Sequence, residues 1–282
     1  MNHRTLAATA AALTTIGLLA ACSSSDGGGS AASGDAPAGL ADGSKLVNCI
    51  DPEYAPLEYY ENGSDGEIVG FDADAARAIA DEWGVDIQFE VTAFDGLMPA
   101  LQSGRCDILL SGLYMSEERL QVADASPIMN AGPAIIASPE IAATLESVED
   151  LCGLRVVAQA ASANAAAIKQ ASEDCTADGA DAIEVQEYPK VSETVLAVLN
   201  GKADALIETN VGAAYMVSQN KGELELAAGE IFPPDTTFGV FTKKGSELSQ
   251  PVADALKSLY DAGTLAELAE KYELEPTIVD VY

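Results

Sequence analysis

The chemistry open to this chain is narrowed first by what it lacks. Its only histidine, His3, stands in an N-terminal segment read below as a removable leader. Without another imidazole, Ser-His-Asp and Cys-His schemes and histidine metal sites are excluded. Reactions built on carboxylates or lysine stay open. Five cysteines are present, at Cys22, Cys49, Cys106, Cys152 and Cys175. The last four form an even set that suits disulfides in an oxidising compartment, and their spacings match no zinc motif. Lys and Arg number 14 against 45 Asp and Glu. So acidic a chain repels phosphate backbones and anionic lipid heads, which argues against nucleic-acid partners and favours a well-hydrated surface.

The elements that must position these residues alternate along the chain. Strands are predicted at Lys45–Ile50, Asp86–Val91, Cys106–Leu110, Gly132–Ala137, Leu154–Gln159, Ile183–Glu187, Ala203–Ile207 and Phe238–Lys243. Helices are predicted at Asp72–Trp83, Phe94–Gln102, Ala163–Glu173, Val191–Asn200, Val211–Ser218, Glu247–Tyr260 and Leu265–Tyr272. This β-α-β-α rhythm predicts an α/β protein with two parallel-sheet units, whose ligands bind where the loops at strand C-termini converge. Four cysteines allow three pairings. A strand at Leu154–Gln159 followed by a helix at Ala163–Glu173 returns the chain to its start and brings Cys175 beside Cys152. Cys49 with Cys106 then follows by exclusion.

Before these elements lies a short basic segment (His3, Arg4) and an Ala- and Leu-rich run from Leu6 to Ala20. That run is shorter than the ~20 apolar residues a bilayer span needs, and it suits the core of a secretory signal. Leu19-Ala20-Ala21-Cys22 resembles the bacterial lipoprotein signal. The resemblance implies removal of residues 1–21 and a diacylglyceryl group on the Cys22 sulfur, an anchor of the stable, doubly acylated kind. Residues 22–44 are almost all Ser, Gly, Ala, Asp and Pro, with Leu40 the only large apolar side chain. Such a stretch is expected to be a flexible tether, with folding starting near Lys45.

From Asp51 onward the chain resembles the family 3 extracellular solute-binding proteins, the polar amino-acid receptors of ABC importers. The anchors are Asp51-Pro52-Glu53-Tyr54-Ala55-Pro56-Leu57-Glu58, Gly70-Phe71-Asp72-Ala73-Asp74 and the run from Phe94 to Asp107. Ser111-Gly112-Leu113-Tyr114-Met115-Ser116-Glu117-Glu118-Arg119, Gly201-Lys202-Ala203-Asp204-Ala205 and Phe238-Gly239-Val240 complete the series. The resemblance implies a type II periplasmic-binding-protein-like fold, two α/β lobes joined by two crossing strands with a ligand cleft between them. It places lobe 1 at residues 45–131 and 237–282, and the inserted lobe 2 at 132–236.

It also implies a binding site. Arg119, in a Ser-x-x-x-x-Ser-x-x-Arg pattern, offers a planar fork that matches a carboxylate with two bonds. It lies three residues beyond Ser116, on the first turn of a short helix. Tyr54 and Phe94 take the positions of two aromatic walls. Ser111 and Gly112 would present a hydroxyl and a carbonyl to an ammonium. Tyr114 replaces the usual Ser or Thr, so its ring must occupy cleft volume. Ser162, within Ala161-Ser162-Ala163, keeps a hydroxyl at a helix start, where it can equally serve as an ordinary N-cap. Thr209 stands where the family places the aspartate that pairs with an α-ammonium. Either Glu208 reaches in instead, or the ligand is not a standard α-amino acid. Asp51 and Glu58 are further cleft acids that could favour a distal cation.

These residues imply a non-enzymatic receptor that captures a polar amino acid or related zwitterion and delivers it to a membrane permease. It is expected as a cofactor-free monomer, lipid-anchored on the outer face of the cytoplasmic membrane, or in the periplasm of a cell with an outer membrane. Two alternatives share the fold: a ligand-sensing module serving a separate kinase, and a cyclohexadienyl dehydratase-like enzyme using Glu208.

Overall fold

The computed structural model describes residues 36–63, 66–233 and 236–282. The expected leader, Cys22 and the tether up to residue 35 lie outside the described residues. The chain opens with β1 (Lys45–Ile50), then the short strands β2 (Glu53–Tyr54), β3 (Glu58–Tyr60) and β4 (Ile68–Val69). Next come α1 (Phe71–Trp83), β5 (Asp86–Val91) and a 3-10 turn at Phe94–Gly96 leading into α2 (Leu97–Ser103). They are followed by β6 (Ile108–Leu109), α3 (Glu117–Val122) and β7 (Ala123–Ala131).

Gly132 alone separates β7 from β8 (Pro133–Ala137), which begins a second sheet. Here α4 (Pro139–Ala142), β9 (Arg155–Gln159), α5 (Ala163–Ala177), β10 (Glu184–Tyr188) and α6 (Val191–Leu199) follow in turn. Then come β11 (Ala205–Thr209), α7 (Asn210–Gln219) and β12 (Glu225–Leu226). The chain returns to the first sheet as β13 (Thr236–Lys243) and ends with α8 (Ser249–Asp261) and α9 (Thr264–Lys271).

The first sheet has the order β5-β1-β6-β13-β7 and the second β10-β9-β11-β8-β12. In each, four strands run the same way and one against them: β13 is antiparallel to β6 and β7, and β8 is antiparallel to β11 and β12. The expected purely parallel units are therefore mixed sheets. Each reversed strand is the one that arrives from the other sheet: β8 follows β7 across Gly132, and β13 follows β12.

Both sheets are covered on two faces. In the first, Leu46, Ile108 and Val240 pack against Phe71, Ile79 and Leu256 of α1 and α8. Opposite them, Cys49, Leu109 and Phe241 meet Leu97 and Leu101 of α2. In the second, neighbours on one strand point to opposite faces, as strand geometry requires. Val156 joins Ile168 of α5, whereas Val157 joins Ala213 and Met216 of α7. Disulfides link Cys49 to Cys106 and Cys152 to Cys175, the two expected pairs. The first ties β1 to the segment entering β6; the second ties the start of β9 to α5. No described helix is long and apolar enough to cross a membrane.

Candidate functional site

The loops between the two sheets meet at one pocket. Tyr54, Phe94, Gly112, Tyr114 and Arg119 line it from the first sheet's side, and Ser162, Glu208 and Thr209 from the second's. Eight of the residues singled out in the sequence thus converge. Gln159, Ala163, Asn164 and Ile207 also line the pocket and were not anticipated. For Asn164 a signal existed: Ser162 caps α5 by accepting from the Ala165 amide at 2.9 Å, which fixes residues 163 and 164 on the first turn. That capped end also leaves the Ala163 and Asn164 amides without intrahelical acceptors. The room left between the walls is small, about 20 Å³ for the centre of a water-sized molecule. A wider cavity of about 720 Å³ adjoins it past Phe94, Arg119 and Ser162.

Arg119 lies on the first turn of α3, as expected, where Ser116 is the N-cap and accepts its amide at 3.4 Å. Its Nη1 donates to the Tyr114 carbonyl at 3.0 Å, and its guanidinium carbon stands 5.9 Å from the Phe94 ring centroid. Burial lowers its pKa to about 10, which leaves it cationic at neutral pH. Among the described residues, no carboxylate forms an ion pair with it.

Tyr54 crosses between the two sides. Its ring is flanked by two glycines. A Cβ on Gly112 would come within 2.7 Å of the ring, and one on Gly212 within 2.9 Å. Gly112 also has a φ of 55°, a left-handed conformation that favours glycine. The Tyr54 hydroxyl donates to Glu208 Oε1 at 3.0 Å and is hydrogen-bonded to the Thr209 hydroxyl. Thr209 Oγ1 in turn accepts the Gly212 amide at 3.1 Å, capping α7. Glu208 Oε1 also accepts the Thr209 amide at 2.8 Å. Burial raises the Glu208 pKa to about 7, against the pull of those two donors.

Three expectations are corrected, at Ser111, Asp51 and Glu58, none of which lines the pocket. Ser111 does not offer its hydroxyl to the pocket. That hydroxyl donates to Glu58 Oε1 at 2.8 Å and accepts the Asp51 amide at 3.0 Å, behind the wall. Asp51 also stays off the pocket lining, with its pKa raised to about 6 by burial and by Glu53. Both residues serve the wall rather than the space it encloses. Glu58 belongs to a buried pair: Asp72 beside it accepts the Gly112 amide at 2.7 Å. Burial pushes Glu58 well above the usual carboxylate range, with the Asp72 charge adding to it, and burial raises Asp72 to about 7.

These carboxyls hold a proton more tightly in the folded chain than in the unfolded one. Their contribution to stability is therefore full below the ordinary carboxylate range and is lost as pH rises through about 7. Glu58→Gln keeps the shape, supplies a permanent N–H for Asp72 and removes one titrating group. Compared with the variant, the wild-type chain should lose stability as pH rises from 5 to 8. Urea unfolding at a series of pH values checks this, and parallel pH profiles would contradict it.

With the geometry in place, comparison with known proteins locates the chain. The family described as Bacterial extracellular solute-binding proteins, family 3, matches residues 46–275. An arginine-binding protein of Corynebacterium glutamicum is 26% identical over 245 residues, covering 86% of this chain and 79% of the relative. Among solved structures, an ancestral arginine-binding protein bound to arginine is similar with a TM-score of 0.73. It is 31% identical, and the match covers 81% of this chain and 98% of that one. An ancestral amino acid-binding protein, a precursor of cyclohexadienyl dehydratase, has a TM-score of 0.71 at 30% identity, covering 81% and 95%.

Proposed function

This chain belongs to the bacterial extracellular solute-binding proteins of family 3, and we propose that it captures a small zwitterion for an ABC importer. The observation that carries the reading is Arg119, a cation on the pocket wall with no carboxylate partner among the described residues. A guanidinium in that state is an incomplete interaction, and a ligand carboxylate completes it with two charge-assisted bonds. Glu208 is the only carboxylate among the residues lining the pocket, and it takes the ligand's cationic end in place of the missing acid at position 209. Tyr54 and Phe94 are the apolar walls between these two poles.

Lobe 1 comprises residues 45–131 and 237–282, and lobe 2 residues 132–236. Hinge motion about the strands between them opens the cleft to the solute and closes it. The chain acts as a monomer that hands the solute to its permease. Relatives named for arginine binding, and the ligand-bound structure, support transport rather than turnover. The role is binding without chemistry: Glu208 Oε1 is already engaged by Tyr54 and the Thr209 amide.

Calorimetry against amino acids and related zwitterions tests the reading. Arg119→Ala should weaken binding by at least about 100-fold, the equivalent of ~3 kcal/mol, with unchanged thermal unfolding. Because Glu208 must be ionised to pair with a cation, affinity should rise from pH 5 to about pH 7 and then level off. Tyr54, Tyr114, Arg119, Gln159, Ser162, Asn164 and Thr209 are the other polar side chains on the pocket, and none of the three that titrate does so in that range. Retained affinity in the arginine variant would contradict the carboxylate assignment.

Outside the described residues, Cys22 carries the lipid anchor and the chain up to residue 35 the tether; the expected tether residues 36–44 are instead docked, with Leu40 packed on the first sheet's core and the Ala41 amide donating to Asp107 at 3.0 Å. Membrane fractionation should find the full chain with the membrane and Cys22→Ser in the soluble fraction. Membrane retention of that variant would contradict the anchor.

A further inference from the structure

Two tyrosine rings set the room between Arg119 and Glu208, and both are held in place. The walls leave about 20 Å³ for the centre of a water-sized molecule. A single buried water needs roughly 10–15 Å³ on that measure, so the space is close to that of one water. Tyr114 is 6% exposed and stacked on Phe238, with centroids 5.1 Å apart and planes 15° from parallel. Its backbone bridges to the same residue, and its carbonyl accepts Arg119 Nη1. The Asn164 side chain lies against its hydroxyl. Tyr54 sits between Gly112 and Gly212, tied through its hydroxyl to Glu208 and Thr209.

The wider cavity of about 720 Å³ gives little relief to a solute held at both poles. Phe94, Arg119, Ser162 and Ala163 line both spaces and stand between them. A carboxylate paired with Arg119 occupies that passage, so the rest of the solute lies on the Glu208 side, against the Tyr114 ring. Of these walls, Tyr114 departs furthest in bulk from the Ser or Thr usual at its position in the proteins the chain resembles. Its phenol fills space of the kind a long solute side chain would need.

We infer that Tyr114 is a size filter: it restricts this receptor to the smallest zwitterions, of glycine to serine size, and excludes long side chains such as that of arginine. The inference rests on the binding reading above and adds a limit on size to it. Overfilling a tight space drives side chains off their rotamers or the walls apart. Here it would part Tyr54 from Glu208 and Thr209, so a larger solute forfeits contacts that a small one keeps.

The test is calorimetry of the intact protein with the twenty common amino acids. The tightest binder should be glycine, alanine or serine, ahead of glutamine, phenylalanine and arginine by at least about tenfold. Tyr114→Ser, checked for folding by its thermal unfolding, should gain at least about tenfold in affinity for arginine or glutamine, while affinity for glycine stays level or falls. A merely structural role for the ring would instead weaken every solute alike. Any other amino acid at the head of the wild-type ranking, or a smaller margin, overturns this inference alone, whatever the variant does. So does a folded variant with no gain for the larger solutes. Should the variant not fold, the wild-type ranking decides by itself. Silence from all twenty overturns the binding reading and this inference with it.

Discussion

Arg119 holds a positive charge beside the Phe94 ring, and among the described residues its guanidinium donates only to the Tyr114 carbonyl. Removing a guanidinium from water costs free energy unless an opposite charge compensates it. The surrounding architecture can be understood as the means of holding that charge in place. Ser116 starts the short helix that carries it, and the aromatic ring covers one side. The Gly112 loop, from which Tyr114 follows, is fixed from behind by the hydrogen bond that the Gly112 amide donates to Asp72. The chain has 45 acidic residues, yet among the described residues none forms an ion pair with this arginine, as the proposed capture of an external anion requires.

The two sheets divide the lining of the pocket between them. The first supplies Arg119, Phe94 and Tyr54; the second supplies Glu208, Thr209 and the first turn of α5. Tyr54 packs against apolar clusters of both sheets, and two glycines keep space for its ring. Its hydroxyl reaches Glu208 and Thr209, so one side chain spans the cleft. Glu53 and Lys190 add an exposed ion pair across the same boundary, a contact of small energetic weight. Val211 of α7 and Ala163 of α5 also pack against the first sheet's apolar cluster.

Much of this was legible in the sequence. The strands Lys45–Ile50 and Asp86–Val91 appear residue for residue, and the cysteine pairing follows from strand–helix geometry. The longest described strand, Ala123–Ala131, was not. Ala123-Asp124-Ala125-Ser126-Pro127 has neither alternation nor β-branched residues, and proline argues against a central strand. It lies at the sheet edge, where proline is tolerated, and is held by pairing with β13. The strands of the β2–β4 sheet are two or three residues long, too short to carry a periodic signal. At the site, residue types told which side chains could bind, but not where each pointed. Ser111 is the clearest case, since only its neighbours Glu58 and Asp51 decide that its hydroxyl faces inward. Asn164 shows the converse: an unremarkable helix residue becomes part of the pocket because of how α5 is aimed.

Charge placement at one end of the cleft is the claim from which everything else was built, and direct observation of an occupant tests it best. A crystal structure of the protein with its tightest-binding solute should show two solute oxygens within hydrogen-bond reach of the Arg119 guanidinium. An occupant seated in the cleft with no anionic group at Arg119 would contradict the account.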